Sequence, residues 1–165
     1  MTNEHRSFLG LPVKGDIIRG RNRVDQRPLE ELQPLLQAVL DDPTIVEFGW
    51  RQYTPYFNDG EPCEFSAHAP WFRTDTDDED ASTWDLEMYD HPSLGDQPRS
   101  WDNATRTYVD RPYEGPDEAR YRRCHDLASA IENTAFENVL LQAFGDHAEI
   151  TVRKDGIEVE TYEHE

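Results

Sequence analysis

The chain has 165 residues, enough for one domain whose core needs no disulfide or metal staple. Its 35 acidic residues against 16 basic ones give a net charge of −19, a surface that repels DNA and anionic membranes. No apolar run approaches the ~20 residues of a membrane span. The opening MTNEHRSFLG lacks the apolar stretch of a signal peptide, so the expected location is the cytoplasm.

Lys14 and Lys154 are the only lysines; every other basic residue is arginine. Acidity with lysine depletion fits a halophilic cytoplasm, where molar salt shrinks the Debye length to about 3 Å and self-repulsion fades. A DNA mimic and an ordinary acidic bacterial or phage protein fit the charge as well. Cys63 and Cys124 stand far apart without metal-ligand spacing, and read as reduced thiols.

Residues 1–27 read as an irregular arm, with Arg19, Arg21 and Arg23 as possible phosphate or partner contacts, unless the arm lies on the protein's own acidic face. Residues 28–165 read as a single domain. Pro28 to Leu40 predicts a helix: Pro28 suits its first position, and Leu29, Leu32, Leu35, Leu36, Val39 and Leu40 form one stripe. Pro34 interrupts the pattern, and Asp41-Asp42-Pro43 ends it.

From Val46 to Gln52, and again from Cys63 to His68, side chains alternate as in half-buried strands. Asp59-Gly60 between them suits a turn, so a hairpin with a long aromatic-rich connection is expected. Residues 73–118 form an acidic, loop-rich insertion, with weaker strands at 84–89 and 105–109 and a solvated acidic run at RTDTDDEDAST. Asp117 to Glu132 predicts a helix with Tyr121, Cys124, Ala128 and Ile131 on one face. Thr134 and Glu137 fit a capping box that opens another short helix. Glu149 to Tyr162 predicts a second hairpin turning at Asp155-Gly156, with Val152 opposite Val159 and Ile150 opposite Thr161. The expected class is α+β: an antiparallel sheet of two hairpins plus weaker strands, packed against two or three helices.

The block from Trp50 through Gln52-Tyr53-Thr54-Pro55-Tyr56-Phe57-Asn58-Asp59-Gly60-Glu61 to Cys63 and Phe65 resembles one in a family of small tailed-phage and bacterial proteins. The family's C-terminal end is similar to Phe144-Gly145-Asp146-His147 followed by a hairpin and Tyr162-Glu163-His164-Glu165. Together these cover about a third of the chain, and residues 1–27 and 73–118 lie outside them. The family carries no known activity, so the resemblance implies viral or proviral kinship and no reaction. With the acidic, lysine-poor composition it points to a virus or provirus of a haloarchaeon.

Gln52, Tyr53, Asn58 and Asp59 are candidates for a ligand or partner loop, or equally for side chains that satisfy the loop's own backbone. Cys63, His147 and His164 offer thiolate and imidazole to a metal if the two hairpins are neighbours. The acidic run lacks the glycine and glutamate of an EF-hand, and Cys124-His125 cannot face each other on a helix. No P-loop, GxGxxG, GxSxG or HExxH is present. The leading expectation is a soluble, non-enzymatic protein without a cofactor, working through a protein partner. The alternatives are a small-ligand or metal-dependent enzyme with its site at the 53–63 loop, and a virion component.

Overall fold

A computed structural model describes residues 7–12, 14, 15, 25–56, 60 and 63–163. Arg19, Arg21, Arg23, Asn58, Asp59 and His164 lie outside the described residues. The fold is α+β, with three helices and eight strands among the described residues. A short ribbon, β1 (Ser7–Phe8) with β2 (Leu11–Pro12), turns through Leu9 and Gly10, both at positive φ. The arm is therefore not wholly irregular. Further on, the Arg27 N–H donates to the Ala135 carbonyl.

Helix α1 (Leu29–Leu40) has Pro28 as its N-cap rather than its first residue, and it runs through Pro34 unbroken. Leu32 and Val39 are buried, while Leu29 is largely exposed. Strands β3 (Ile45–Tyr53) and β4 (Ser66–Thr74) form the long-looped hairpin. β4 begins later than the alternation predicts, so Cys63 and Phe65 precede it and are half-buried. Val46 is exposed rather than core-facing, because the register shifts between Ile45 and Glu47 and leaves it as an extra residue.

After β4 the chain wraps the sheet edge. The 84–89 stretch is a 3-10 turn (Thr83–Leu86) followed by a single bridge between Trp71 and Glu87, not a strand. The acidic run is partly built in: the Arg73 guanidinium donates to the Asp78 and Ala81 carbonyls, and the Asp77 carboxylate accepts from the Thr74 N–H. An exposed hairpin follows, β5 (Arg99–Asp102) with β6 (Thr107–Asp110).

Helix α2 (Glu118–Glu132) is capped by the Asp117 carboxylate and buries Tyr121, Cys124, Leu127, Ala128 and Ile131, as the spacing predicts. Helix α3 (Glu137–Phe144) starts three residues after Thr134, with Phe136 as N-cap and no side-chain capping bond, so the predicted capping box does not open it. Thr134 has left-handed backbone (φ 71°), a conformation outside a cap's extended range. Strands β7 (Ala148–Arg153) and β8 (Gly156–Thr161) form the last hairpin. Its turn is Lys154-Asp155, which pairs Val152 with Ile157 and Ile150 with Val159. The pairing slips by two residues from the expected one, so each side chain keeps its face.

The main sheet has the order β4-β3-β7-β8, all antiparallel. One face carries Phe48, Trp50, Ile150 and Val152 into the core with the helices. The other carries Gly49, Arg51, Tyr53, His68, Trp71 and Arg73. Gly49 is required where it stands: a Cβ there would lie 2.0 Å from the Ile150 carbonyl oxygen and 3.1 Å from the Trp71 ring.

Candidate functional site

Two features stand out, and they lie on opposite faces of the sheet. The first is at the β8 edge. At the other edge, β4 is closed off: Trp71 bridges to Glu87, and the Met88 N–H donates to the Pro70 carbonyl. Among the described residues none covers β8 in this way, and the strand is exposed along its whole length. Its core-side residues Ile157 and Val159 are 50% and 47% exposed, a large fraction for apolar side chains in a sheet. Beside them an apolar groove of about 290 Å³ runs between α1 and α3, lined by Leu29, Leu36, Val139, Ala143, Phe144 and Ile157. Trp50 is at its floor, packed edge-on to Phe144.

The second feature is on the far face, at the end where the 53–63 loop leaves the sheet. Arg51 sits opposite His68 on β4 and Glu149 on β7. Its guanidinium is buried, with Trp84 of the 3-10 turn covering it at 3.6 Å and the Tyr162 ring 5.8 Å away. The rings of His68 and Tyr162 stand 4.7 and 5.5 Å from that of Tyr53. Ser66 Oγ and His68 Nε2 are 2.8 Å apart.

Of the candidates for a ligand loop, Gln52 is fully buried rather than open to a ligand, and its amide is committed. Its NH2 donates to the Leu140 and Gly145 carbonyls, which caps the end of α3 from inside the core. Tyr53 is half-buried in the aromatic group around His68. The two hairpins are neighbours, as the metal reading requires, since β3 pairs with both β4 and β7. Yet among the described residues no three His, Cys, Asp or Glu side chains gather as metal ligands would. The His147 ring stacks on Tyr56, and its Nε2 lies 3.7 Å from Asp146.

Asp146 fastens the loop end of β3 to the start of the last hairpin. Its carboxylate accepts from the Thr54 N–H and O–H and from the His147 N–H. Burial alone would raise this carboxyl, but those bonds hold it below its ordinary range. Cys124 is buried in the core, and burial pushes its thiol up to about 12, so it is no nucleophile at neutral pH.

Sequence reasoning missed the Arg51 site. Strand alternation puts Arg51 on the polar face, but only the later 3-10 turn brings Trp84 over it. It also missed the β8 groove, which depends on where α1 and α3 lie across the sheet. No family model matches the chain, and neither a curated protein nor a solved structure shows similarity to it.

Proposed function

We propose that the protein is a non-enzymatic viral or proviral accessory factor, adapted to high salt, that works by binding another protein through the β8 edge and its groove. The observation that carries this is the asymmetry of the sheet: β4 is covered, whereas among the described residues nothing closes β8, and Ile157 and Val159 are exposed beside an apolar groove. An open edge takes an added strand through main-chain hydrogen bonds, and alternate side chains of that strand fill the neighbouring groove.

Charge selects the partner. Arg27, Arg99, Arg122, Arg123 and Arg153 are held in ion pairs with this chain's own carboxylates, which leaves the acidic excess to face outward. A second copy would set Glu158 and Glu160 of β8 near their counterparts, a repulsion at contact distance that survives best where molar salt screens the net charge. A basic protein with an extended, alternately apolar segment fits better. Blocking a host defence protein is one role such contact would serve. The viral or proviral setting rests on the resemblance of the Trp50–Phe65 block.

The test is affinity purification from native or infected cells in high salt, with wild type beside Ile157→Asp/Val159→Asp. Both positions are exposed, so the fold should survive. A basic protein retained by wild type and lost by the double variant is the expected result. Identical captures, or self-association of the purified chain through this edge, would overturn the reading.

A further inference from the structure

Arg51 and Arg73 lie on the same sheet face, and both are buried. Their hydrogen bonding differs completely. Arg73 spends every nitrogen: Nε on Glu47, Nη1 on the Asp78 carbonyl and Nη2 on the Ala81 carbonyl. Arg51 spends one. Its Nη2 donates to Thr83 Oγ1 at 2.5 Å and stands 3.5 Å from Glu149. Its Nε and Nη1 are buried with no acceptor. The other buried arginine, Arg120, has both terminal nitrogens bonded and leaves Nε alone unmatched.

An unmatched buried N–H on a charged group is among the costliest defects a fold retains, and such defects collect at binding sites. A guanidinium donates only, so these N–H groups can take only an acceptor: water, a carbonyl or an anion. Trp84 is the cover. It is 55% exposed and belongs to a turn of four residues outside the main sheet.

We propose that Arg51 is the anchor of a binding site for a small organic carboxylate, reached when the Trp84 indole moves aside. This site is independent of the β8 edge. Glu149 already offsets much of the Arg51 charge and the chain carries −19, so a doubly charged phosphate is disfavoured more strongly than a singly charged carboxylate. The rings of Trp84, Tyr162 and Tyr53 give the ligand's body an apolar, aromatic wall. Ser66 and His68, bonded to each other at 2.8 Å, lie next along the same face.

The experiment is a titration of the whole protein with benzoate, and separately with inorganic phosphate, at fixed ionic strength. It follows the arginine Nε–H NMR resonance that Arg51→Met removes. Benzoate should shift that resonance saturably, and Arg51→Met should weaken benzoate binding by about tenfold or more, the scale of a lost charge-assisted hydrogen bond. Phosphate should bind more weakly than benzoate. An unmoved resonance, equal binding by the variant, or tighter binding of phosphate would overturn the proposal. So would a lowered melting temperature in a variant that binds nothing less, which would make Arg51 a structural cation.

Discussion

The indole N–H of Trp50 donates to the side-chain oxygen of Gln52, 2.9 Å away and two residues on along the same strand face. Both side chains are fully buried, and the Gln52 amide goes on to the Leu140 and Gly145 carbonyls. One side chain thus satisfies three groups, the Trp50 indole and the Leu140 carbonyl in the core and the Gly145 carbonyl nearer the surface. Gln52→Leu keeps most of the volume but strands all three. It should cost about 2–4 kcal/mol, measured by urea unfolding. A loss below ~1 kcal/mol would mean that the core relaxes around the missing amide.

Gly49→Ala should be as damaging for a steric reason. The new methyl would meet the Ile150 carbonyl oxygen, and β3 and β7 would have to part. The expected loss is about 3 kcal/mol by denaturant unfolding. A variant that unfolds at the wild-type midpoint would show that the two strands separate freely there.

Acid should weaken the fold through His91. Its Nε2–H donates to the Phe72 carbonyl at 2.6 Å, and Nδ1 accepts from the Ser93 and Leu94 N–H groups. Burial lowers its pKa from the ordinary 6.5, Phe72 and Asp77 oppose that shift, and Arg120 adds to it. Between the unfolded and the lower folded value, the unfolded chain binds more protons, so stability falls as pH drops below 6.5. Urea midpoints between pH 8 and pH 5 should show the slope, and His91→Asn should flatten it. Parallel slopes in the two proteins would place the acid sensitivity elsewhere.

Salt should act in the opposite sense. As salt falls from molar to about 0.1 M, the Debye length grows to about 10 Å and the acidic surface repels itself. The melting temperature followed by circular dichroism should drop along that series. A melting temperature indifferent to salt would remove the case for halophily.

The two thiols should separate cleanly in a reactivity assay. Cys63 is half-buried ahead of β4, whereas Cys124 is sealed in the core with its thiol pushed up to about 12. A disulfide reagent should modify one cysteine in the folded protein and the second only on unfolding. Two fast thiols would mean that α2 opens readily.

What the sequence revealed and what it hid divide along physical lines. α1, α2 and both hairpins were legible because their apolar residues repeat at 3.6 or 2, and burial follows those periods. Turn placement was less so: Asp155-Gly156 reads as the turn, but the strands close one residue earlier, on Lys154-Asp155. Lys154 is drawn there by a tertiary contact, its amino group donating to the Leu40 and Asp42 carbonyls at the end of α1. The 84–89 stretch alternates like a strand, yet the Ser82 hydroxyl accepts from the Trp84 N–H and starts a 3-10 turn. Gln52 reads as a loop side chain available to a ligand, and nothing local says that α3 will end against it. Arg51 is the clearest case, since its burial is decided by residues more than thirty positions away.

The unequal edges of the sheet set a valence. With β4 closed by Glu87 and β8 uncovered among the described residues, strand addition to the main sheet has one end to work from. A complex formed there ends at one partner per molecule and cannot propagate into a fibre. Once a partner strand occupies β8, this sheet offers no second edge, so two partners that use it exclude each other and their relative concentrations decide which one is held.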